Sequence, residues 1–220
     1  MRIELLEDLY ERYSRLALSY PSDRPIAMKG LETRLIHTFN TSGGFGVLNK
    51  YLHRGLLWQR ADSTLRRIRS FHIRNEVPSW SWMSYDGPIC YMTVPFGQAL
   101  WSDDILSPFT KTRHQESCHE GEDTATKDLK LEAPVWGIAD MRGGQMIFDE
   151  HDYGFADTLM CVVVGQSKIE PLNEQQTQYV LLVHPVAGAN ENPVYERVGV
   201  GILERRQIAF GGRGSKAKIR

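Results

Sequence analysis

Cysteine is scarce in this chain, and so is any excess of charge or any long apolar run. Cys90, Cys118 and Cys161 are an odd, widely spaced trio with no C-x-x-C pair. That pattern excludes a disulfide framework and reads as free thiols in a reducing compartment. The net charge is -1, which argues against a dedicated nucleic-acid or membrane-surface protein. The longest apolar run, Leu159 to Val164, falls far short of the ~18 residues a spanning helix needs and suits a buried strand. The N-terminus carries Glu4, Glu7 and Asp8, too acidic for a secretory leader. The expectation is a cytoplasmic chain with no membrane association. Asn40-Thr41-Ser42 matches a glycosylation sequon that has no meaning in that compartment. No G-x-S-x-G elbow is present. Gly43-Gly44-Phe45-Gly46 lacks the Lys-Ser/Thr ending of a phosphate loop, and Gly199-Val200-Gly201 lacks the third glycine of a dinucleotide fingerprint. No cofactor is implied.

What is present, in 220 residues with 41% hydrophobic content, is enough for a real core. Leu6, Leu9, Tyr10 and Tyr13 predict a first helix that stops before Pro21. Ser22 or Asp23 then caps a second helix, with Pro25 in its first turn and Leu31, Leu35, Ile36 and Phe39 on its apolar stripe. Gly43, Gly44 and Gly46 break the chain, and residues 51–73 read as a third, irregular helical region. From residue 77 the pattern becomes β. Trp80 to Tyr85, Asp86-Gly87 and Ile89 to Val94 predict a hairpin, weakened by Pro88. Residues 98–127 read as a long loop, the expected variable, partner-facing element of an interaction module. Strands are expected at 129–138, 145–148, 158–165, 179–184, 197–203 and 207–210, with a frayed tail over 211–220. The spacings leave no room for repeated crossover helices. The fold class is therefore α+β: a helical segment (1–76) packed on a mainly antiparallel, barrel-like or sandwiched sheet (77–210), in one structural unit.

The run Val77-Pro78-Ser79-Trp80-Ser81-Trp82 is the most distinctive stretch. An extended segment puts Trp80 and Trp82 on one face, as core or as a binding platform. With Tyr85, Tyr91 and His184 they form the candidate binding set, suited to a small hydrophobic ligand or a protein partner. Asp149, His151 and Asp152, with Glu150 between them, are the weak candidates for a metal, though they lack the glycine and terminal glutamate of a calcium loop. His114, Cys118 and His119 supply only one ligand cluster where zinc usually needs two pairs. A Cys90 or Cys161 nucleophile with His184 as base competes with inert buried thiols in apolar strands. Six arginines between Arg54 and Arg74, with Trp58 and Phe71 among them, would suit phosphate, but Asp62, Glu76 and the acidic 116–123 stretch neutralise them.

Several of these motifs resemble one family. Tyr10-Glu11-Arg12-Tyr13-Ser14-Arg15-Leu16 with Asp23 to Leu31, then Tyr51-Leu52 with Gly55-Leu56-Leu57-Trp58, then Pro78-Ser79-Trp80-Ser81-Trp82 with Asp86-Gly87, then Tyr195-Glu196-Arg197-Val198-Gly199-Val200-Gly201, follow one another in family order. They resemble the region downstream of the signature domain in fungal heterokaryon-incompatibility (HET domain) proteins. The family's upstream "A-L-S-Y-x-W-G" and "W-I-D-x-x-C-I-N-Q" motifs are lacking; Leu18-Ser19-Tyr20 is only an echo of the first. The resemblance implies a truncated relative, a split gene product or a stand-alone descendant. The family's role in non-self recognition and programmed cell death belongs to the missing part, so the resemblance carries over no functional residue. It implies a non-catalytic interaction or regulatory module. The alternative is an isomerase or cyclase of secondary metabolism with a Trp-lined pocket.

Overall fold

A computed structural model describes residues 2–62, 65–69, 77–109, 129–150, 158–168, 173–186, 193–211 and 214–220. Two helices open the chain, α1 (Arg2–Ser14) and α2 (Arg24–Phe39). Ile3, Leu6 and Tyr10 bury one stripe of α1. The Ser14 hydroxyl ends α1 by donating to the Glu11 carbonyl (2.7 Å), and it accepts the Ile89 N–H (3.0 Å). Pro25 sits in the first turn of α2, and Asn40 closes it in the left-handed region (φ 46°).

A small hairpin follows, β1 (Gly43–Gly44) with β2 (Val47–Leu48). Its two turn residues, Phe45 and Gly46, both have positive φ (52° and 77°), as a tight primed turn requires. The expected third helical region is corrected. Among the described residues of that region the helical part is α3 (Leu52–Leu56), led in by a 3₁₀ turn at Asn49–Tyr51, and the chain then extends into β3 (Trp58–Arg60) and β4 (Arg66–Arg67). Leu56, Leu57 and Trp58 are consecutive and all buried, which one helical stripe cannot accommodate.

The predicted hairpin around Asp86-Gly87 is also corrected. β5 (Tyr85–Asp86) pairs with β4, and β6 (Ile89–Tyr91) pairs with β3. Gly87 does supply the turn (φ 129°), but Pro88 has no N–H for a ladder, and its carbonyl accepts the Ala61 N–H instead (3.0 Å).

The rest is the main sheet: β7 (Ala99–Trp101), β8 (Leu131–Ile138), β9 (Gln145–Phe148), β10 (Met160–Ser167), β11 (Thr177–Pro185), β12 (Val194–Glu204), β13 (Ile208–Ala209) and β14 (Ser215–Ile219). Strands β8, β10, β11, β12 and β14 close on themselves as a five-stranded barrel. An odd number of strands cannot alternate in direction all the way round. The one parallel pair falls between β12 and β14, at Val194↔Lys218 and Tyr195↔Ile219. The fold class is α+β with a mainly antiparallel sheet, as the patterning predicts.

The tail is corrected too. Residues 215–219 form an integral strand, with Ala217 and Ile219 buried and Lys216 and Lys218 exposed. Alternation of small or apolar with basic residues over so short a run is masked by the glycines before it. Of the expected 98–127 loop, residues 99–101 are β7, and residues 110–127 lie outside the described residues.

Both sheet faces are covered. Leu131, Val162, Val164, Leu181, Val183, Val200 and Ile219 pack with Trp80 and Leu56 in one core. Cys161, Val180, Leu182 and Leu203 form another on the opposite face. A third joins the helices to Trp58, Trp82 and Tyr85. Among the described residues no helix is long and apolar enough to cross a membrane.

Candidate functional site: a buried junction and a barrel seam

The Pro-Ser-Trp-Ser-Trp run is a suture between the helical core and the barrel core. It is not an extended strand. The Ser81 N–H turns back to the Pro78 carbonyl (3.0 Å), and Trp82–Ser84 form a 3₁₀ turn. The two indoles therefore diverge, which corrects the side-by-side expectation. Trp80 enters the barrel core, edge-on to Phe109 at 6.0 Å. Trp82 enters the helical core, 5.6 Å from Tyr10 and 5.7 Å from the Arg24 guanidinium. Both are 0% exposed. The serines between them tie backbone. Ser81 Oγ donates to the Phe45 carbonyl (2.7 Å) and accepts the Met83 N–H (3.1 Å). Ser79 Oγ accepts the Arg197 N–H (2.9 Å) and donates to the Arg220 carbonyl, which ties β12 and the residue after β14 to the suture.

Beneath the suture lies a buried ion pair, Arg197 with Asp149, at 0% and 1% side-chain exposure. Arg197 Nε donates to Asp149 Oδ2 (3.0 Å) and Nη2 to Oδ1 (3.1 Å). Nη1 reaches the Leu56 carbonyl (2.7 Å) and Nη2 the Trp58 carbonyl. The guanidinium plane lies 3.3 Å from the Trp58 ring centre, and the Trp58 indole N–H donates to the Trp80 carbonyl (2.8 Å). Burial pushes the Asp149 carboxyl up and Arg197 pulls it back. One guanidinium thus joins α3, β3, β9's end and β12, a use that suits its planar fork of donors.

Around that pair sits a half-buried second tier. Arg67 Nη1 donates to Glu196 Oε2 (2.7 Å), the Arg67 N–H to Glu150 Oε1 (2.9 Å), and Arg220 Nε to Glu196 Oε1 (2.8 Å). Burial alone would raise the Glu196 carboxyl, but Arg67 and then Arg220 hold it below its ordinary value.

Of the other sequence candidates, Tyr85 and Tyr91 share the helical core with Trp82. Tyr85 is buried 5.5 Å from Trp58, its carbonyl accepts from Arg24 Nη1 (2.7 Å), and burial and then Asp149 push its hydroxyl up. Tyr91 stands opposite Trp58 in the β3–β6 ladder and packs against the helical core, with its N–H on Glu11 Oε1 (2.9 Å). His184 lies on β11 opposite Glu196. Asp149 spends both oxygens on Arg197, and His151 and Asp152 lie outside the described residues, as do His114, Cys118 and His119. Among the described residues no three His, Cys, Asp or Glu side chains are grouped to hold a metal. Burial pushes the Cys161 thiol up to about 12, so it is not a thiolate at neutral pH. Cys90 is raised as well, by burial first.

The barrel is closed differently at its two ends. β8 and β10 pair directly only at Gly137↔Met160 and Trp136↔Cys161. Farther along they part, and residues 96–106 fill the gap. β7 pairs with Gly165 to Ser167 of β10, and Leu106 bridges Glu132 of β8 (Leu106 N–H to Glu132 O, 2.8 Å). Ala99 and Ile105 point into the barrel core, while Phe96, Leu100 and Leu106 are 50%, 46% and 47% exposed. Trp101 covers Gly165, where a side chain would strike the indole. His53 stacks on Trp101 (5.6 Å, 16°), with Nε2 at 2.8 Å from the Ser102 carbonyl. The Arg54 guanidinium lies 4.2 Å from the Phe96 ring.

Sequence reasoning missed Arg197 and Ser79, and within the expected 98–127 loop it missed the strand and bridge that make the seam. Arg197 carried a usable signal: a charge between apolar residues of a predicted strand must be exposed or paired. No protein-family model, curated protein or solved structure matches the chain.

Proposed function

We propose that this chain is a non-catalytic interaction module, resembling the region downstream of the signature domain in fungal HET-like proteins, that works inside the cell by engaging another protein. The observation that supports this is the contrast between spent and unspent side chains. The suture side chains are buried within the protein, the Trp80 and Trp82 indole N–H groups without a hydrogen-bond partner, whereas Phe96, Leu100 and Leu106 present apolar surface along one seam, with the Arg54 guanidinium over the Phe96 ring. The alternative, an enzyme with a Trp-lined pocket, draws no support from two indoles that are fully buried.

The test is a triple variant, Phe96→Ser, Leu100→Ser and Leu106→Ser, expressed in a filamentous fungus beside full-length HET proteins. The wild-type chain is expected to alter the cell-death response. The variant should lose that effect while keeping its circular dichroism spectrum. An equal effect from both proteins would overturn the proposal.

A further inference from the structure

We infer that residues 96–106 are a removable strap, and that the seam they vacate accepts an extended strand from a partner protein; this rests on the interaction-module reading above. The strap is held by fewer residue pairs than the strands it joins share with their other neighbours. β7 contributes three residue pairs, extended by the Ser102 N–H to the Val164 carbonyl and the Lys168 N–H to the Gln98 carbonyl, and Leu106 a single bridge, against six pairs between β10 and β11 and five between β8 and β14. Ala99 and Ile105 are its buried residues in the core, with Trp101 packed against them beneath the stacked His53. Its entry is marked by Pro95 and by Gly97 at φ +71°, with nothing within 4 Å of where a side chain would stand. Three exposed apolar side chains lie on its outer surface. Local opening is expected where buried apolar contacts are few and exposed backbone bonds are many.

What leaves the gap also shows what fits it. Removing the strap frees backbone groups on β8 near Glu132 and on β10 from Val164 to Ser167, two edges too far apart to pair with each other there. Unpaired edges take up an extended segment by main-chain hydrogen bonding. The strap's own pattern sets the side chains: a small residue inward, an aromatic over Gly165, and a second aliphatic inward near Glu132.

The test uses the whole chain with Cys90 and Cys118 replaced by serine, and a lock made by Ala99→Cys with Ser167→Cys. These positions are directly opposite in the ladder, a separation a disulfide spans. By hydrogen exchange, the Ser102 and Leu106 amides should exchange at least about tenfold faster than those of Leu181 and Val200, and oxidation of the lock should slow them. Equal rates in the unlocked chain would overturn the strap. The binding probe is a fluorescent peptide with the sequence of residues 96–106. It should bind the reduced lock variant and be excluded from the oxidised one. Equal binding to both, or to neither, would overturn the strand site, and a dimer abolished by oxidation would assign the seam to a second copy instead. If the fungal assay fails while the strap opens, the module reading falls alone; a closed strap with a positive fungal assay removes only this inference.

Discussion

Strand β11 meets β12 through nine residue pairs, with one register shift between Leu182 and Val183. The 77–85 segment meets its surroundings mostly through single side chains: Ser79 to β12 and residue 220, Ser81 to Phe45, Trp58 to the Trp80 carbonyl, beside two isolated backbone bonds at Ser79 and Ser84 and the short β4–β5 pairing at Tyr85. In the barrel, backbone satisfies backbone, so any residue of suitable size and polarity serves. In the suture the backbone is irregular, and named side chains satisfy what a ladder would otherwise satisfy. Tolerance to substitution should differ accordingly between the two regions.

The largest departure is expected at Arg197. Arg197→Met strands a buried carboxylate and two carbonyls, a loss of about 3–5 kcal/mol in chemical denaturation. Adding Asp149→Leu should recover part of it, because the orphaned charge is then gone. A barrel substitution that removes only apolar contact, Val162→Ala, should cost less, about 1–3 kcal/mol. If Arg197→Met is the milder of the two, the contrast between the regions fails.

Gly46→Ala comes next. The position has φ 77°, and a Cβ there would stand 2.1 Å from the Trp82 indole nitrogen. Left-handed strain and overpacking together should cost about 2–4 kcal/mol. Gly30→Ala, with nothing within 4 Å on the exposed side of α2, should be neutral or stabilising by up to about 1 kcal/mol. Thermal melts of the two variants side by side decide the matter.

Ser79→Ala removes one acceptor and one donor from the suture. The expected loss is about 1–3 kcal/mol, with faster hydrogen exchange in β14 and little change in α1. Uniform acceleration across the chain would mean that the suture has no local role.

The smallest effect is a pH dependence. The Glu196 carboxyl is held below its ordinary value, so its contribution is present above the unfolded value, about 4.3, and is lost as pH falls through the folded one. Glu196→Gln should therefore be less stable than wild type at neutral pH, by up to about 1 kcal/mol, with the difference shrinking as pH falls below the ordinary carboxylate range. A difference that persists in acid would point to packing rather than charge.

The β half was legible because alternation carries it. Leu129, Leu131 and Ala133 against Lys130 and Glu132 announce β8, and 145–148 coincides with β9. The helices were legible from their apolar spacing and from Pro25. The suture was not, because Pro-Ser-Trp-Ser-Trp alternates like a strand while its serines bond to local and distant backbone, a choice no period encodes. The tail was misjudged for the opposite reason: Gly211 to Gly214 and three basic residues hide two buried positions, Ala217 and Ile219. Asp149 looked like an ion ligand because its partner, Arg197, lies 48 residues away.

The guanidinium of Arg197 and the hydroxyl of Ser79 also set an order of events. They bond to groups 141 and 118 residues distant in the chain. Closing loops of that size carries an entropy cost that neighbouring hairpins such as β11–β12 do not bear. The barrel meander therefore has the shorter route to structure, and the helical half stays undocked until those long loops close. Refolding should show β10–β12 protected first and the indole environments of Trp58 and Trp82 settling last, with Arg197→Met speeding unfolding far more than it slows folding.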